Sequence, residues 1–429
     1  MRKVNVVGSG IVGLLSAYYL SQSGFKVSVF DAGPNPLTDY NKDKAGATFS
    51  GGNARHVSAT ETSPHASLSM TGQIYISGNK GGWLAKDERN LTLAEKAWMD
   101  EFELVTQSPD LFTQFTKTVI NVNNLGKDLW RKLMAQDPDL FTNVQIQQPL
   151  TVFFLDEPTF KSENNVETAA NPLYPPIPLT KKEIAKEYPV MANAVRKGII
   201  AEGLVLDGFA LNAISFCKKI IRRLQSQGVS FFWDTEVRSL HELNSANYYL
   251  ISTGVRKQDF LRGTSSHQKI MGVAGVWIRI PNPGLKKAFK IACPYPTGYI
   301  NGTLEGNNLL LSGGYGFIGQ DYLDRQKPGI KTLFEDIKRN VQSVFPESFK
   351  KSLREDSLDE RVCIRPMKPS GLGVFEVMEK GKSKAIFTGA NSAGGFTQAP
   401  VLAAAVLDIL NGKDSFLIKA FSQDKSLSI

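Results

Sequence analysis

The sequence predicts an α/β protein that begins with a βαβ unit and carries a second domain. A short apolar run at 4–7 is followed by a helical pattern at 11–23 and a second apolar run at 27–30. That order is typical of a βαβ unit, in which two parallel strands flank a helix. Further strand-like runs at 229–233, 248–252, 275–280, 308–312 and 384–388 supply the rest of the sheets.

A glycine-rich loop joins the first strand to the first helix. Gly8, Gly10 and Gly13 have GxGxxG spacing. They allow a tight turn, close approach of the backbone to a pyrophosphate and close packing of helix on strand. Asp31 ends the second strand, where an acid accepts hydrogen bonds from ribose hydroxyls. The sequence therefore predicts a Rossmann-type nucleotide site, with Ile11, Val12 and Ala32 as further contacts; the alternative is a glycine turn that binds nothing.

Two distant segments favour FAD over NAD as the dinucleotide. Both are rich in Gly, Ser, Asn and Thr: one spans 46–55, and the other spans 389–400 just before an apolar helix expected at 401–411. The positive end of that helix would point at the ligand of the loop. The contacts expected from the two segments are Thr48, Ser50, Gly52, Asn53, Gly389, Ala393, Gly394, Gly395, Phe396 and Thr397. An ordinary turn before a core helix is the alternative for the second segment.

With these segments, the chain resembles the D-amino-acid oxidase/dehydrogenase superfamily of flavoenzymes, and bacterial D-amino-acid dehydrogenases look nearest. The resemblance rests on residues 4–31, 248–254 and 365–400. Two departures stand out: Asn391 and Ser392 replace a His-Gly pair usual in the family, and Ser370 replaces an aspartate.

The resemblance implies a glutathione-reductase type FAD domain and a substrate-binding cap of mixed β-sheet plus helices. We assign 1–90, 200–265 and 355–429 to the FAD domain, and 91–199 and 266–354 to the cap. It also implies that Val237 holds the adenine through its backbone, and that Thr253 and Gly254, after a buried strand, form a second nucleotide contact. A plain sheet strand is the alternative for 248–254.

The implied activity is oxidation of the C–N bond of an amino acid or amine by hydride transfer to flavin N5. A substrate carboxylate needs a cation, and Arg365, before a Pro-Met-Lys-Pro-Ser-Gly turn, is the first candidate. Arg55, His56 and Tyr315 are further candidates for the substrate side, and Phe317 is a candidate for the pocket lining. Each has a structural alternative as a surface or core residue.

Cys363 has two interpretations. In sarcosine oxidases that look similar, a cysteine at a matching distance before the turn is joined covalently to the flavin, and nearby cations such as Arg361 would lower the thiol pKa. The alternative is a buried structural cysteine on a strand.

Composition limits the other functions. Three widely spaced cysteines and four histidines show no metal-ligand spacing, and the net charge of +9 is spread over short basic clusters without a nucleic-acid module. We therefore expect no metal and no nucleic acid, oxygen or a quinone as electron acceptor, and a cytoplasmic protein with peripheral contact to an anionic membrane as an option. The rival functions are a flavin oxidoreductase of hydroxy acids or glycerol phosphate, an aromatic hydroxylase suggested by Asp207-Gly208, and a non-catalytic flavin-binding subunit.

Overall fold

A computed structural model describes residues 1–38, 55–61, 88–243, 245–254, 258–293, 297–320 and 328–425. Within these ranges the strands form a six-stranded sheet, an eight-stranded sheet and a two-stranded ribbon. The chain therefore has the two-sheet α/β architecture that the sequence predicts.

The strands are β1 (Lys3–Val7), β2 (Lys26–Phe30), β3 (His56–Val57), β4 (Leu150–Phe154), β5 (Ile177–Leu179), β6 (Glu202–Leu206), β7 (Phe209–Ala210), β8 (Ser230–Phe232), β9 (Tyr248–Ile251), β10 (Met271–Pro281), β11 (Phe289–Ala292), β12 (Tyr299–Glu305), β13 (Asn308–Gly319), β14 (Asp359–Met367), β15 (Val374–Lys380) and β16 (Ser383–Gly389). The helices are α1 (Ile11–Gln22), α2 (Leu93–Gln107), α3 (Pro109–Gln136), α4 (Glu157–Ala170), α5 (Lys181–Glu187), α6 (Ala192–Arg196), α7 (Ala213–Ser226), α8 (Pro328–Val344), α9 (Pro346–Arg354), α10 (Gly395–Leu410) and α11 (Phe416–Ala420).

The first sheet has the order β15-β16-β9-β1-β2-β8. All its neighbours pair in parallel except β15, which is antiparallel to β16. Because β1, β2 and β9 run in the same direction, their carboxyl ends meet at one edge of the sheet. That edge is where open α/β sheets bind ligands.

The second sheet is mixed and has the order β14-β10-β13-β12-β11-β4-β6-β5. One of its faces is apolar and packs on α8 and α9 through residues such as Ile278, Leu311 and Ile337. Buried charged side chains, among them Arg361, Arg365 and Lys290, occur on its strands. This polar content indicates a site on the sheet, because burying a charge is costly unless it is paired or binds a ligand.

A helical layer of α1, α3, α7 and α10 covers the first sheet and forms the largest core. The segment Ser392–Leu410 is the one stretch in the described chain that is long and apolar enough to span a membrane, but 61% of it is buried inside the protein. It therefore serves as a core helix that packs between α1 and α3.

Two features differ from the expectations. Helix α10 begins at Gly395 and not at 401. Strands β6 and β14, from segments assigned to the FAD domain, pair in the eight-stranded sheet, and α3, assigned to the cap, packs on α10. The division into domains itself stays a prediction.

Candidate active site

The glycine loop has the geometry that its spacing predicts. Gly8 has φ of +102°, and its N–H donates to the Phe30 carbonyl at 2.8 Å, which ties the ends of β1 and β2 together. A Cβ at Gly13 would lie 2.0 Å from the Gly8 oxygen, so only glycine allows this packing. Gly10 is the N-cap of α1 and has no side chain to occupy the space in front of Ile11. The helix thus presents its first N–H groups to the edge of the sheet.

Asp31 is tied into this loop. Its Oδ2 accepts hydrogen bonds from the Ser9 N–H and the Ser9 hydroxyl, both at 2.7 Å, and its Oδ1 accepts from the Gly33 N–H at 2.7 Å. Asp31 is half-buried, while Ala32 is exposed. The carboxylate therefore fixes the loop, and a ribose would share it with Ser9.

The end of β9 lies beside the same loop. The Ser252 N–H donates to Val7 at 2.9 Å, and its hydroxyl donates to Gly8 at 3.2 Å. Thr253 and Gly254 come next and line a cleft together with residues 388–390. Val237 is buried against Val7 and Phe30 and lies in irregular chain, not on a strand.

The loop after β16 is held in an unusual conformation. Ala390 and Ser392 have φ of +53° and +50°, a region that non-glycine residues rarely adopt. Three buried polar atoms here have no hydrogen-bond partner in the described structure: Thr388 Oγ1, Asn391 Oδ1 and Ser392 Oγ. Strained backbone and unsatisfied polar atoms together mark a ligand site.

The predicted contacts around the start of α10 differ in their surroundings. Ala393 and Gly394 lie in a 3₁₀ turn, and Gly395 begins the helix. The Phe396 ring stacks on Trp130, with centroids 5.2 Å apart. Thr397 is fully buried, and its hydroxyl donates to the His56 carbonyl at 3.2 Å. The first turn of α10 is thus packed against α3 and β3.

These features fit FAD. The tight glycine loop and the free end of α1 suit the pyrophosphate. The unsatisfied Asn391 and Ser392 atoms suit the polar edge of the flavin ring. Gly8, Gly10, Gly13 and the 388–395 loop would hold the cofactor. The residue-level contacts stay predictions.

Arg365 is the buried cation of the site. It is 3% exposed, and one Nη donates to the Gly314 carbonyl at 2.9 Å. Among the described residues, its Nε has no hydrogen-bond partner and no carboxylate pairs with the guanidinium. A Cβ at Gly275 on β10 would lie 2.5 Å from the guanidinium, so this glycine makes the space. A buried guanidinium without an anion is costly, which favours binding of an anionic ligand.

Tyr315 lies under Arg365. The guanidinium carbon is 4.5 Å from the centre of the ring, a cation–π contact. Burial, the largest cause, raises the pKa of the Tyr315 hydroxyl to about 12, so it stays protonated at neutral pH. Phe317 contacts Trp98 at 5.1 Å between ring centroids and is fully buried, which supports its alternative as a core aromatic.

Arg55 is used in an ion network. Its Nη1 is 2.7 Å from Glu305 Oε1, and the other oxygen of Glu305 binds Arg279 at 2.6 Å. Arg279 continues the network to Asp359 at 2.9 Å. The carboxylate of Glu305 therefore already faces the Arg55 charge, and Arg365 is the better candidate anchor for a substrate.

His56 is fully buried beside β12. Its Nε2 lies 3.3 Å from both the Gly302 carbonyl and the Thr303 hydroxyl. Burial, followed by the charge of Lys290, lowers the pKa of the ring to about 3. His56 is therefore neutral at physiological pH and takes part as a hydrogen-bonding group.

Several buried polar residues were not predicted from the sequence. Lys290 on β11 pairs with Glu61 at 2.6 Å, and Glu167 on α4 accepts from Thr60. Burial raises the pKa of Glu167 to about 7. The one available signal was a lone lysine inside the apolar run Ala-Phe-Lys-Ile-Ala.

A relay of side-chain amides crosses the core as well. Asn391 donates to Gln398 at 2.6 Å, and Gln398 donates to Asn123 at 2.8 Å. Asn123 then donates to the carbonyls of Ala59 and Glu61. The relay fixes the loop after β16 to α3 and to the segment next to His56.

Cys363 lies between Arg361 and Arg365 on the same face of β14. It is buried with Trp277 and Leu310, and its thiol donates to the Gly275 carbonyl at 3.4 Å. Burial raises the thiol pKa, and this outweighs the lowering by Arg365. That direction is opposite to the one covalent attachment needs, and it supports the structural interpretation.

Two groups of sequence candidates remain, the contacts in the 46–55 segment and the Asp207-Gly208 pair. Thr48, Ser50, Gly52 and Asn53 lie outside the described residues. Asp207, next to Gly208, pairs with the buried Lys127 at 2.8 Å and with the partly exposed Arg131, so its carboxylate is engaged in ion pairs.

Comparison with known proteins agrees with this architecture. The profile of the family described as FAD dependent oxidoreductase matches residues 3–409. A D-amino acid dehydrogenase of Vibrio atlanticus (strain LGP32) is 22% identical over 404 residues, covering 87% of this chain and 88% of that protein.

Solved structures show the same fold. Glycine oxidase from Geobacillus kaustophilus superposes with a TM-score of 0.63 at 15% identity, covering 100% of this chain and 99% of the other. L-alpha-glycerophosphate oxidase from Mycoplasma pneumoniae with FAD bound gives 0.61 at 14% identity, covering 96% and 94%.

Proposed function

Because the chain belongs to the FAD dependent oxidoreductase family, we propose that this flavoenzyme oxidises the C–N bond of an amino acid whose carboxylate binds Arg365. The family relationship supports an FAD-dependent enzyme acting on amino acids or amines. The choice of a carboxylate substrate goes further and rests on one observation, the buried guanidinium without a carboxylate partner among the described residues.

The electrostatics of Arg365 support this choice. The Gly314 carbonyl takes one donor, and Tyr315 covers one face, which leaves Nε and the remaining N–H groups for a ligand. A carboxylate can take two parallel hydrogen bonds from a guanidinium, which fixes its orientation as well as its position. Fixing the carboxylate also limits where the α-carbon can lie.

The chemistry needs few acid or base groups. FAD, when bound, supplies the acceptor for a hydride, so the carbon that bears nitrogen loses a hydride and the nitrogen loses a proton. His56 is neutral and Tyr315 is protonated at neutral pH, so neither holds a charge that would compete with Arg365. The protein therefore acts mainly by orienting the substrate.

The direct test is anaerobic reduction of the flavin by a panel of compounds. D- and L-amino acids, N-methyl amino acids, amines without a carboxylate and hydroxy acids are mixed with the purified protein, and bleaching of the yellow colour is followed. We expect bleaching by one class of amino acid. Bleaching only by amines without a carboxylate would contradict the anchor, and bleaching only by hydroxy acids would favour the hydroxy-acid enzyme. No bleaching by any class would favour the non-catalytic subunit.

The electron acceptor is a separate proposal. The resemblance to D-amino-acid dehydrogenase and the net charge of +9 are compatible with transfer to a quinone at an anionic membrane surface. We expect slow reoxidation by oxygen and faster reoxidation by a soluble quinone analogue in stopped-flow absorbance. Rapid formation of hydrogen peroxide at full turnover would instead assign an oxidase.

A further inference from the structure

We propose that Asp424 is a positioning residue of the active site, which holds the turn after Arg365 in place through Lys368 and Ser370. The inference deepens the proposed function and rests on it where Arg365 is taken as the substrate anchor. The unit of Lys368, Ser370 and Asp424 is called the clasp below.

The clasp is a buried ion pair with a third partner. Lys368 Nζ lies 2.7 and 3.0 Å from the two oxygens of Asp424, and the Ser370 hydroxyl donates to Asp424 Oδ2 at 2.5 Å. Lys368, Ser370 and Asp424 are 2%, 1% and 2% exposed. Lys368 also reaches the Phe421 carbonyl at 3.3 Å. Each charge is thus compensated, which a buried pair requires.

The clasp joins two parts of the fold at the site. Lys368 directly follows β14 of the eight-stranded sheet, three residues after Arg365. Asp424 follows α11, whose Leu417, together with Phe421 after it, is packed in the core of the helical layer. Fifty-six positions separate the two charged residues.

The turn that the clasp holds also touches the loop after β16. Met367 forms a β-bridge with Asn391, and a Cβ at Gly373 would lie 2.4 Å from the Asn391 amide nitrogen and 2.7 Å from the Phe421 ring. A shift of the turn would therefore move both Arg365, through β14, and Asn391. A positioning role therefore predicts changes at both Arg365 and Asn391 when the clasp is lost, whereas a role in stability alone does not.

The test compares Asp424→Asn with Asp408→Asn in the FAD-loaded protein. Asp408 is a half-exposed acid on α10 that lies 3.9 Å from Lys413, and it is the matched control. Hydrogen–deuterium exchange by mass spectrometry reports the order of segments 367–373 and 389–395. Titration with propionate, followed by the flavin absorbance, reports the anchor, because propionate is a carboxylate that carries no amine to oxidise.

In Asp424→Asn we expect faster exchange in both segments. We also expect about tenfold or greater loss of propionate affinity, since a displaced Arg365 would lose its charge-assisted contact with the carboxylate. Asp408→Asn should match the wild type. Asp424→Glu should recover part of the affinity by restoring the charge. Ser370→Ala, which removes one hydroxyl and leaves the ion pair, provides a milder variant if Asp424→Asn does not fold, with the same effects in smaller size.

Unchanged exchange in both segments would overturn the clasp. Faster exchange with unchanged propionate affinity would leave a purely structural ion pair and also overturn the positioning role. If the wild type and Arg365→Leu bind propionate equally weakly, the proposed function fails, and the positioning role, which requires that anchor, is rejected with it; the exchange data then report only whether the clasp orders the turn.

Discussion

At the scale of single residues, Arg365 can be displaced without being removed. In Gly275→Ala the new methyl group would lie 2.5 Å from the guanidinium, so the arginine must move. For a carboxylate substrate, we expect the transition-state stabilisation reported by kcat/KM to fall by roughly 1.5–3 kcal/mol in Arg365→Leu, which is the value of a hydrogen bond to a charged group. The loss in Gly275→Ala should be smaller. Steady-state kinetics with FAD content measured in parallel check this. Arg262→Leu, an arginine exposed at the surface, is the control, and equal kinetics in all variants would remove Arg365 from the site.

Gly10 provides a second test at this scale. Because Gly10 is the N-cap of α1, a branched side chain there would occupy the space of the pyrophosphate. Gly10→Val should be purified without yellow colour, and Gly10→Ala with reduced FAD content. The ratio of flavin to protein absorbance measures this, and circular dichroism checks that the fold is intact. A Gly10→Val protein with full FAD content would contradict the assigned loop.

At the scale of elements, the contact between α3 and α10 depends on one glycine. A Cβ at Gly126 would lie 2.2 Å from the Thr397 carbonyl, so the backbones of the two helices touch there. Gly126→Ala should destabilise the protein by about 1–3 kcal/mol through overpacking, although alanine favours helix formation. Asn121→Ala, at an exposed position of α3, is the control and should be neutral or slightly stabilising. Urea denaturation measures both, and a stabilised Gly126→Ala would mean that the helices separate freely.

Elements with a clear local pattern were predictable, and those defined by tertiary contacts were not. The βαβ unit follows apolar periodicity and lies where that periodicity places it. Helix α10 begins earlier than expected, because its first two turns contain Gly395 and Pro400, and these residue types are typical of loops. Pro400 has no N–H for the Phe396 carbonyl, and Trp130 of α3 donates to that carbonyl at 2.9 Å instead.

The same limit applies to the site. GxGxxG and its acid are local signals, and Arg365 follows from its place before a turn. The pair of Lys290 and Glu61 joins residues 229 positions apart, and the relay from Asn391 to Asn123 crosses three segments. No spacing rule reports such contacts, because they exist only once the two sheets and the helical layer have assembled.

At the scale of the whole molecule, two buried groups set opposite pH dependences of stability. Glu167 has its pKa raised from 4.5 to about 7 by burial, so the folded protein binds more protons than the unfolded chain between these values. The contribution of Glu167 to the free energy of unfolding is fully present below pH 4.5 and is lost as the pH rises through about 7. His56, with its pKa lowered from 6.5 to about 3, has the reverse sign, and stability is lost as the pH falls through that window.

Replacing Glu167 should therefore separate the two contributions. Glu167→Gln keeps an oxygen to accept from Thr60 and removes the buried charge. Relative to the wild type, we expect little change in the unfolding free energy at pH 4 and a gain at pH 8 of roughly 3 kcal/mol, at about 1.4 kcal/mol for each pH unit. Urea denaturation of the FAD-loaded protein at both pH values measures the difference. Glu157→Gln on the same helix, an exposed acid paired with Lys161, controls for a general effect of charge and should shift both values little. If Glu167→Gln and the wild type differ equally at pH 4 and pH 8, then Glu167 does not titrate between them, and the pH dependence of stability would have to come from other buried acids such as Glu101, whose pKa burial also raises.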